Sequence, residues 1–283
     1  MTNASQIRSL VTASSLRKFL RNYSLVLMLI GVTIIFTLFQ RAYISVENMI
    51  GILYQVSLIG TMAVFATLVI LTGGIDLSVG PVMAIAGLVT VFAMDRYGLA
   101  LPVALILGVL SGGLIGTFNG LAISVFRLPA FVVTLATMTI MRGIALLVGG
   151  SVLHQIRGPA EFLFLGSGKV AGLPFPIYIF AAVTLLLYIL QTRTQFGLNI
   201  FAIGENAEAA RLCGLPVTRT RVLAYVLAGI GSAIGGLILS AQVSTASATY
   251  GNGYELDVIA AVILGGTSLR GGSGSVARTV IGA

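Results

Sequence analysis

Residues 97–126 read YGLALPVALILGVLSGGLIGTFNGLAISVF and contain no charged side chain. A helix needs roughly 20 mostly apolar residues to cross the hydrocarbon core of a bilayer. Six further stretches without charge are Asn22–Gln40, Asn48–Ile75, Leu77–Met94, Leu128–Met141, Val170–Thr192 and Val222–Tyr254. Helices of soluble domains show a polar face, so this repetition excludes a soluble protein. The sequence predicts an all-α, polytopic bundle of transmembrane helices.

The composition supports a single integral membrane domain. Thirty-five glycines suit a bundle in which helix backbones approach closely. The only cysteine, Cys213, excludes an internal disulfide. The net charge of +8 does not indicate nucleic acid, because the basic residues are spread over the loops. We expect a cytoplasmic tail over residues 1–21 and a transmembrane domain over residues 22–283.

The distribution of basic residues orients the chain. The predicted spans are about 22–40, 48–72, 77–94, 98–126, 128–150, 173–192, 222–243 and 255–269. With the N-terminus in the cytoplasm, eleven Lys and Arg residues fall inside and four outside, as the positive-inside rule requires. The apolar end Thr279–Ala283 adds a stub of a ninth span and suggests a truncated chain with further helices missing.

Two loops have distinct compositions. In the outer loop, residues 151–172, the apolar Phe162–Leu165 predicts a short helix lying on the outer surface. The inner loop, residues 193–221, contains the Ala-rich stretch Asn206–Pro216, which predicts a short helix with a stop at Gly214. A helix held in a cytoplasmic loop can serve as a docking element for a soluble partner.

A glycine pair interrupts the apolar pattern between the second and third spans. Gly73 and Gly74 break the helix, and Asp76 and Ser78 can cap the start of the next one. One interpretation is a discontinuous helix beside a translocation path, where irregular backbone must face protein or a wet cavity. The alternative is a tight turn between two spans, in which Asp76 is only a helix cap.

Several polar side chains lie within predicted spans. Asn119, Thr134 and Thr137 are costly in lipid unless they pair with other helices or line a cavity. Arg142 is also within a span, which indicates a functional role by default. The alternative is a structural role, because Arg142 is near the outer half and its side chain can extend toward the outer surface. Gly73, Gly74, Asp76, Ser78, Asn119, Thr134 and Thr137 form our candidate set for the helix break and translocation path.

A second glycine-rich segment follows the eighth predicted span. Glu255 and Asp257 mark the start of that helix, and the glycines after it lack the ending of a phosphate-binding loop. Leu68–Leu77 is similar to Ala261–Leu269. Interrupted segments in matching positions point to internal repeats around a transport pathway.

The sequence contains no recognisable set of catalytic residues. It lacks the His/Glu pattern of zinc hydrolases, the serine-nucleophile motif and an ATP-binding site. We therefore expect neither an enzyme nor a metal or cofactor on this chain. Any energy from ATP would come from another chain.

Taken in order along the chain, four segments resemble one known family. They are Leu71–Gly80, Leu128–Gly143, Gly204–Gly214 and Gly253–Gly274. Together they resemble the ribose/xylose/galactose-type permeases of bacterial ABC importers. The resemblance implies a multi-pass subunit of the bacterial inner membrane that imports a sugar such as ribose and pairs with a second copy, most often as a homodimer.

The resemblance also implies partners. A periplasmic or surface-tethered binding protein would deliver the sugar, and an ABC ATPase using ATP and Mg would bind the inner loop. The residues that match the ATPase-coupling helix are Gly204, Glu205, Asn206, Glu208, Ala209, Ala210, Arg211 and Gly214.

Two departures keep alternatives open. Family members have about ten spans, and Arg278 stands where the family usually has glycine. One alternative is a truncated, non-functional permease. Another is an ion-coupled secondary transporter, for which only Asp76, Glu255 and Asp257 are available as carboxylates near spans.

Overall fold

The computed structural model describes residues 26–283, so the predicted tail over residues 1–21 lies outside the described residues. The chain divides into two compact units, Met1–Ile52 and Leu53–Ala283. In the first unit, helix α1 (Val26–Phe39) and a short 3-10 helix, Arg41–Ile44, precede the start of helix α2 at Val46. The side-chain amide of Asn48 donates to the carbonyl oxygen of Tyr43 at 2.7 Å and closes this turn.

The described residues are overwhelmingly helical. The longer helices are α1 (Val26–Phe39), α2 (Val46–Leu71), α3 (Val79–Asp95), α4 (Leu101–Ser124), α5 (Ala130–Gly149), α7 (Phe175–Arg193) and α10 (Val217–Val243). The shorter ones are α6 (Ala160–Ser167), α8 (Gln195–Glu205), α9 (Ala207–Leu212), α11 (Tyr254–Leu264) and α12 (Val276–Gly282). Within residues 26–283, five helices are long and apolar enough to cross a membrane, namely α2, α4, α5, α7 and α10. The prediction of an all-α polytopic bundle is confirmed.

Two of the predicted spans are shorter apolar helices, α1 and α3. The predicted eighth span, residues 255–269, is the 11-residue helix α11, which extends only about 16 Å at 1.5 Å per residue. It ends at Gly265, and Gly266 has a φ of +83°. The chain then turns back into α12, which corresponds to the predicted ninth stub.

Helix α12 is tied to the long helices on either side. The Gln191 side-chain oxygen of α7 accepts the Val276 N–H at 3.0 Å. The hydroxyls of Thr67 on α2 and Thr279 on α12 lie 2.8 Å apart. The α11–α12 pair is therefore a folded part of the larger unit.

The short helix predicted in the outer loop exists as α6, and one side of it is buried. Phe162 is fully buried, and Gly166 is buried as well. The Tyr54 hydroxyl of α2 donates to the Gly166 carbonyl at 2.8 Å. Helix α6 packs against α10 and α7 on the side of Phe162 and Gly166, whereas Phe164 is exposed.

The described residues form two small strand pairs. Strand β1 (His154–Gln155) is antiparallel to β4 (Thr245–Ala246), and β2 (Lys169–Val170) is antiparallel to β3 (Leu173–Pro174). The β1–β4 pair joins the outer loop to the segment that follows α10. The topology predicted from the distribution of Lys and Arg has both strand pairs on the outer side of the membrane.

The larger unit is built around the contact of α4 with α10. Four glycines recur every fourth residue on α4, at positions Gly108, Gly112, Gly116 and Gly120, and all are buried. A side chain at Gly112 would collide with the carbonyl oxygen of Gly229, and one at Gly116 with that of Tyr225. This spacing therefore lets the two helix backbones touch.

Helix α3 completes the centre of the bundle. Most of its residues are buried, and a side chain at Gly87 would reach the Ser240 hydroxyl of α10 at 2.5 Å. A side chain at Gly236 would collide with the carbonyl oxygen of Met83. The three helices α3, α4 and α10 thus pack through small residues, which is how helices associate in lipid.

Adjacent glycines on α4 provide a matched test of this packing. We expect Gly112→Ala to lower the free energy of unfolding by about 1–3 kcal/mol, because its methyl group meets the backbone of α10. Gly113→Ala should be neutral, since its methyl group meets only the Ile230 side chain at 3.6 Å. Thermal unfolding of both variants in the same detergent would measure the difference. Equal unfolding temperatures for the two variants would contradict the close contact.

Candidate translocation and coupling sites

The predicted helix break lies between α2 and α3. Helix α2 ends at Leu71, and Gly73 has a φ of +78°, which side-chain-bearing residues rarely adopt. The N–H groups of Gly73 and Gly74 bond back to the carbonyls of Ile70 and Val69 at 2.9 and 3.2 Å. These bonds close the end of α2 before the chain becomes extended.

A buried acid organises the start of α3. One carboxylate oxygen of Asp76 accepts both the backbone N–H and the hydroxyl of Ser78, at 2.8 and 2.6 Å. Both residues are buried, so these bonds compensate for removing the side chain from water. Asp76 holds the turn as predicted, but the Ser78 side chain does not cap α3, because its hydroxyl is directed sideways to Asp76 and α4.

Asn119 links this turn to two further helices. Its side-chain nitrogen donates to the Ser78 hydroxyl at 2.9 Å, and its oxygen accepts the Thr137 hydroxyl at 2.6 Å. The Thr134 hydroxyl lies 3.1 Å from the carbonyl oxygen of Ile75 in the break. Asn119, Thr134 and Thr137 are all buried. The structure therefore brings five of the predicted residues into one network across α3, α4 and α5.

The two predicted glycines of the break contact other parts of the bundle. A side chain at Gly74 would collide with the Tyr225 hydroxyl of α10. A side chain at Gly73 would lie 3.3 Å from the carbonyl oxygen of Arg270 in the second glycine-rich segment. The N–H of Gly272 in that segment donates to the Leu71 carbonyl at 3.0 Å. The two interrupted segments, which are similar in sequence, are thus in direct contact.

The inner loop contains the predicted short helix. Asn206 has extended backbone, and its side-chain oxygen accepts the N–H groups of Glu208 and Ala209 at 3.0 and 2.9 Å. Helix α9 ends after Leu212, and Gly214 adopts a φ of +80°. The helix and its predicted stop at Gly214 are confirmed.

One side of α9 packs on the protein and the other is exposed. Ala210 is buried in a small cluster with Ile203 and Val217. Glu208 and Arg211 are exposed and form an ion pair of 3.0 Å, which contributes little in water. Leu212 has 82% of its surface exposed. The helix is therefore fixed by Ala210 and presents a free face that includes an apolar residue.

The end of α8, at Gly204, touches both helix breaks, which the sequence did not indicate. A side chain at Gly204 would collide with the Leu71 carbonyl of the first break and with the Gly272 N–H of the second. Glu205 lies beside Gly272, within 2.7 Å of the position that a side chain there would occupy. The only sequence signal for this contact was the presence of glycine at positions 204 and 272, because glycine allows two backbones to approach closely.

The segment between β4 and α11 runs inward to the start of α3. Arg142 of α5 donates to the carbonyls of Ala248 and Tyr250 at 2.5 and 2.9 Å. A side chain at Gly80 would collide with the Gly251 carbonyl. Arg142 therefore has the structural role that was one of its two interpretations, since it supplies donors to otherwise unpaired backbone.

Within the described residues, no group of three or more His, Cys, Asp or Glu side chains is arranged to hold a metal ion. The arrangement offers instead a buried polar network and an exposed cytoplasmic helix.

Comparison with known proteins agrees with this arrangement. Residues 48–283 match a family model described as the permease component of branched-chain amino acid transport systems. The chain is 40% identical to the ribose import permease protein of Bacillus subtilis, over 88% of this chain and 77% of that protein. It is 38% identical to the Escherichia coli ribose import permease protein, over 92% and 81%.

No solved structure matches the chain significantly. A third related protein is named for a different sugar. The chain is 36% identical to the L-arabinose transport system permease protein of Escherichia coli, over 87% of this chain and 74% of that one. The resemblance to sugar permeases that the sequence motifs carried is confirmed. This chain belongs to the family of transport-system permease components and is a multi-pass membrane protein.

Proposed function

We propose that this protein is the transmembrane subunit of an ABC importer that moves a ribose-like monosaccharide into the cell. The observation that best supports this proposal is the 38–40% identity to ribose import permeases of two bacteria over about nine-tenths of the chain. The family description refers to branched-chain amino acids. The relatives named for ribose, arabinose and galactofuranose favour a sugar for this member.

The exposed face of α9 supports an ABC ATPase as the partner that supplies energy. Leu212 projects into water beside the charged pair Glu208 and Arg211. An exposed apolar residue with charged neighbours suits the centre of a protein interface. ATP and Mg would be bound by the ATPase, and this chain would receive the resulting movement through α9.

The contacts of Gly204 offer a route for that movement. Helices α8 and α9 are joined at the extended residue Asn206, and the end of α8 lies against both helix breaks. A shift of α9 would therefore reach the break between α2 and α3. We infer that the network of Asp76, Ser78 and Asn119 changes its arrangement as the permease opens and closes.

The outer side would receive the sugar from a binding protein, and a second permease copy would complete the passage. The β1–β4 pair and Arg142 fix the loops of that side. A rigid outer surface suits a partner that docks without large rearrangement. The passage of the sugar itself needs no chemical step. The permease would switch between an outward-open and an inward-open state, and a ligand shifts that equilibrium only by binding the two states unequally.

An uptake experiment tests the function. The full chain, expressed with the ATPase and binding protein of its own source in cells lacking a ribose permease, should restore uptake of labelled ribose or a related pentose or hexose. Uptake should persist with an ionophore when cellular ATP is held constant. Uptake abolished by the ionophore would indicate an ion-coupled transporter, and a stable complex that moves no sugar would refute the substrate class.

The role of α9 can be tested with Leu212→Glu. We expect the ABC ATPase recovered with the tagged chain in mild detergent to fall at least about tenfold, because the variant places an unpaired charge in the interface. The fold should be unaffected, since Leu212 is exposed. Leu153→Glu, an exposed leucine of the outer loop, is the matched control and should recover the ATPase fully. Equal recovery of the ATPase with both variants would argue against α9 as the docking element.

Two threonines of α5 provide a test of the buried network. Thr137→Val removes the partner of the Asn119 oxygen and should lower the free energy of unfolding by about 0.6–1.7 kcal/mol, with slower sugar uptake. Thr139→Val should have no effect, because the Thr139 hydroxyl is exposed and bonds only to the Leu135 carbonyl of its own helix. Unfolding and uptake of both variants would be measured side by side. Unchanged uptake in a folded Thr137→Val protein would remove the network from the mechanism.

A further inference from the structure

A cavity of about 410 Å³ lies between α9 and the first helix break. Its walls come from four places: the end of α2 with the glycine pair, the turn between α4 and α5, helix α9, and the start of α10. Its volume falls in the range of small-molecule pockets. The positive-inside rule places all of these segments on the cytoplasmic side.

Three arginines line this cavity with a single carboxylate. Arg127, Arg211 and Arg221 face Glu208, which leaves an excess of two positive charges. Glu208 is paired with Arg211 at 3.0 Å. Across residues 26–283, Arg127 and Arg221 have no carboxylate within ion-pair distance. Like charges gathered at one cavity are unfavourable unless a counter-ion neutralises them.

A neutral donor in the same wall also lacks a partner. The hydroxyl oxygen of Ser124 is buried and makes no hydrogen bond within the described residues, and Ser124 lines the cavity. Most buried polar groups of this kind are satisfied, so an orphan one calls for a ligand or water. Ser124 lines the same cavity as Arg127 and Arg221, and hydroxyl and guanidinium donors together suit the oxygens of a phosphate.

We propose that this cavity binds a phosphate group, carried either by an anionic phospholipid or by a free phosphate. Guanidinium groups match phosphate oxygens with paired donors, whereas a neutral sugar would not require the charge excess. The rim is apolar at Ile123, Leu128 and Ala130, which suits the glycerol and upper acyl region of a lipid. An occupant would bridge Arg211 on α9 and Arg127 on the α4–α5 turn, and would thereby tie α9 to that turn next to the first helix break.

The absence of tryptophan from the sequence makes a direct test possible. Leu128→Trp places one fluorophore at the rim, on a residue that is 48% exposed. The full chain would be reconstituted in phosphatidylcholine vesicles containing brominated phosphatidylglycerol or, separately, brominated phosphatidylcholine. Bromine quenches nearby tryptophan, so bound anionic lipid should quench more strongly than phosphatidylcholine at the same mole fraction. In a third arm, inorganic phosphate is titrated into vesicles of phosphatidylcholine alone.

Variants identify the site. Arg127→Gln with Arg221→Gln should weaken the apparent affinity about thirtyfold, because each basic side chain beside an anionic group contributes roughly fivefold. Glu208→Gln should strengthen binding, and its exposed position leaves the fold intact. Leu147→Trp, on α5 at a residue that is 87% exposed, reports ordinary lipid contact and should show no preference for phosphatidylglycerol.

Each outcome decides between the sources or against the site. Quenching selective for phosphatidylglycerol that is lost in the double arginine variant assigns a lipid headgroup. A phosphate-dependent change of emission without lipid selectivity, again lost in that variant, assigns a free phosphate. Neither response, or a response that Glu208→Gln and the arginine variant leave unaltered, would overturn the proposal.

Discussion

The close contact of α4 with α10 is the constraint on which the rest of the structure depends. Lipid provides no hydrophobic force that drives helices together, so association relies on tight packing and polar contacts. The glycines at every fourth position of α4 remove the side chains that would separate it from the backbone of α10 at Tyr225 and Gly229. Helix α3 then packs on α10 through Gly87 and Gly236, and on α4 at Gly108. The three helices form a rigid centre, and the shorter elements assemble around it.

That contact also sets the direction of the polar network. Asn119 directly precedes Gly120, which faces the backbone of Val222 on α10, so its side chain is turned toward α3 and α5. There it satisfies Ser78 and Thr137 simultaneously. A buried network is stabilising only when its members are paired. The break between α2 and α3 therefore depends on a helix contact formed elsewhere in the bundle.

Features that depend on local sequence were predicted better than contacts between segments that are distant in sequence. Charge-free stretches predicted the long helices because hydropathy reflects the surroundings of each residue. The free-energy cost of burying an unpaired Asn or Thr correctly predicted that Asn119 and Thr137 have hydrogen-bond partners. The length of the eighth span was missed because the segment from 255 to 269 has the same mean hydropathy whether the helix continues or stops at Gly265. The burial of Phe162 and the meeting of Leu71 with Gly272 were missed because no local pattern records a contact between distant segments.

The position of α9 suggests how one small helix can influence the whole bundle. Its buried residue, Ala210, packs on Val217 at the start of α10, the helix that carries the central glycine contact. Through α8, its other neighbour, it reaches Gly204 and both helix breaks. Packed elements tend to switch between discrete arrangements because close packing resists gradual deformation. We therefore expect a displacement of α9 to act on the α3–α4–α10 centre and on the helix breaks together, because Tyr225 of α10 also touches Gly74 of the first break.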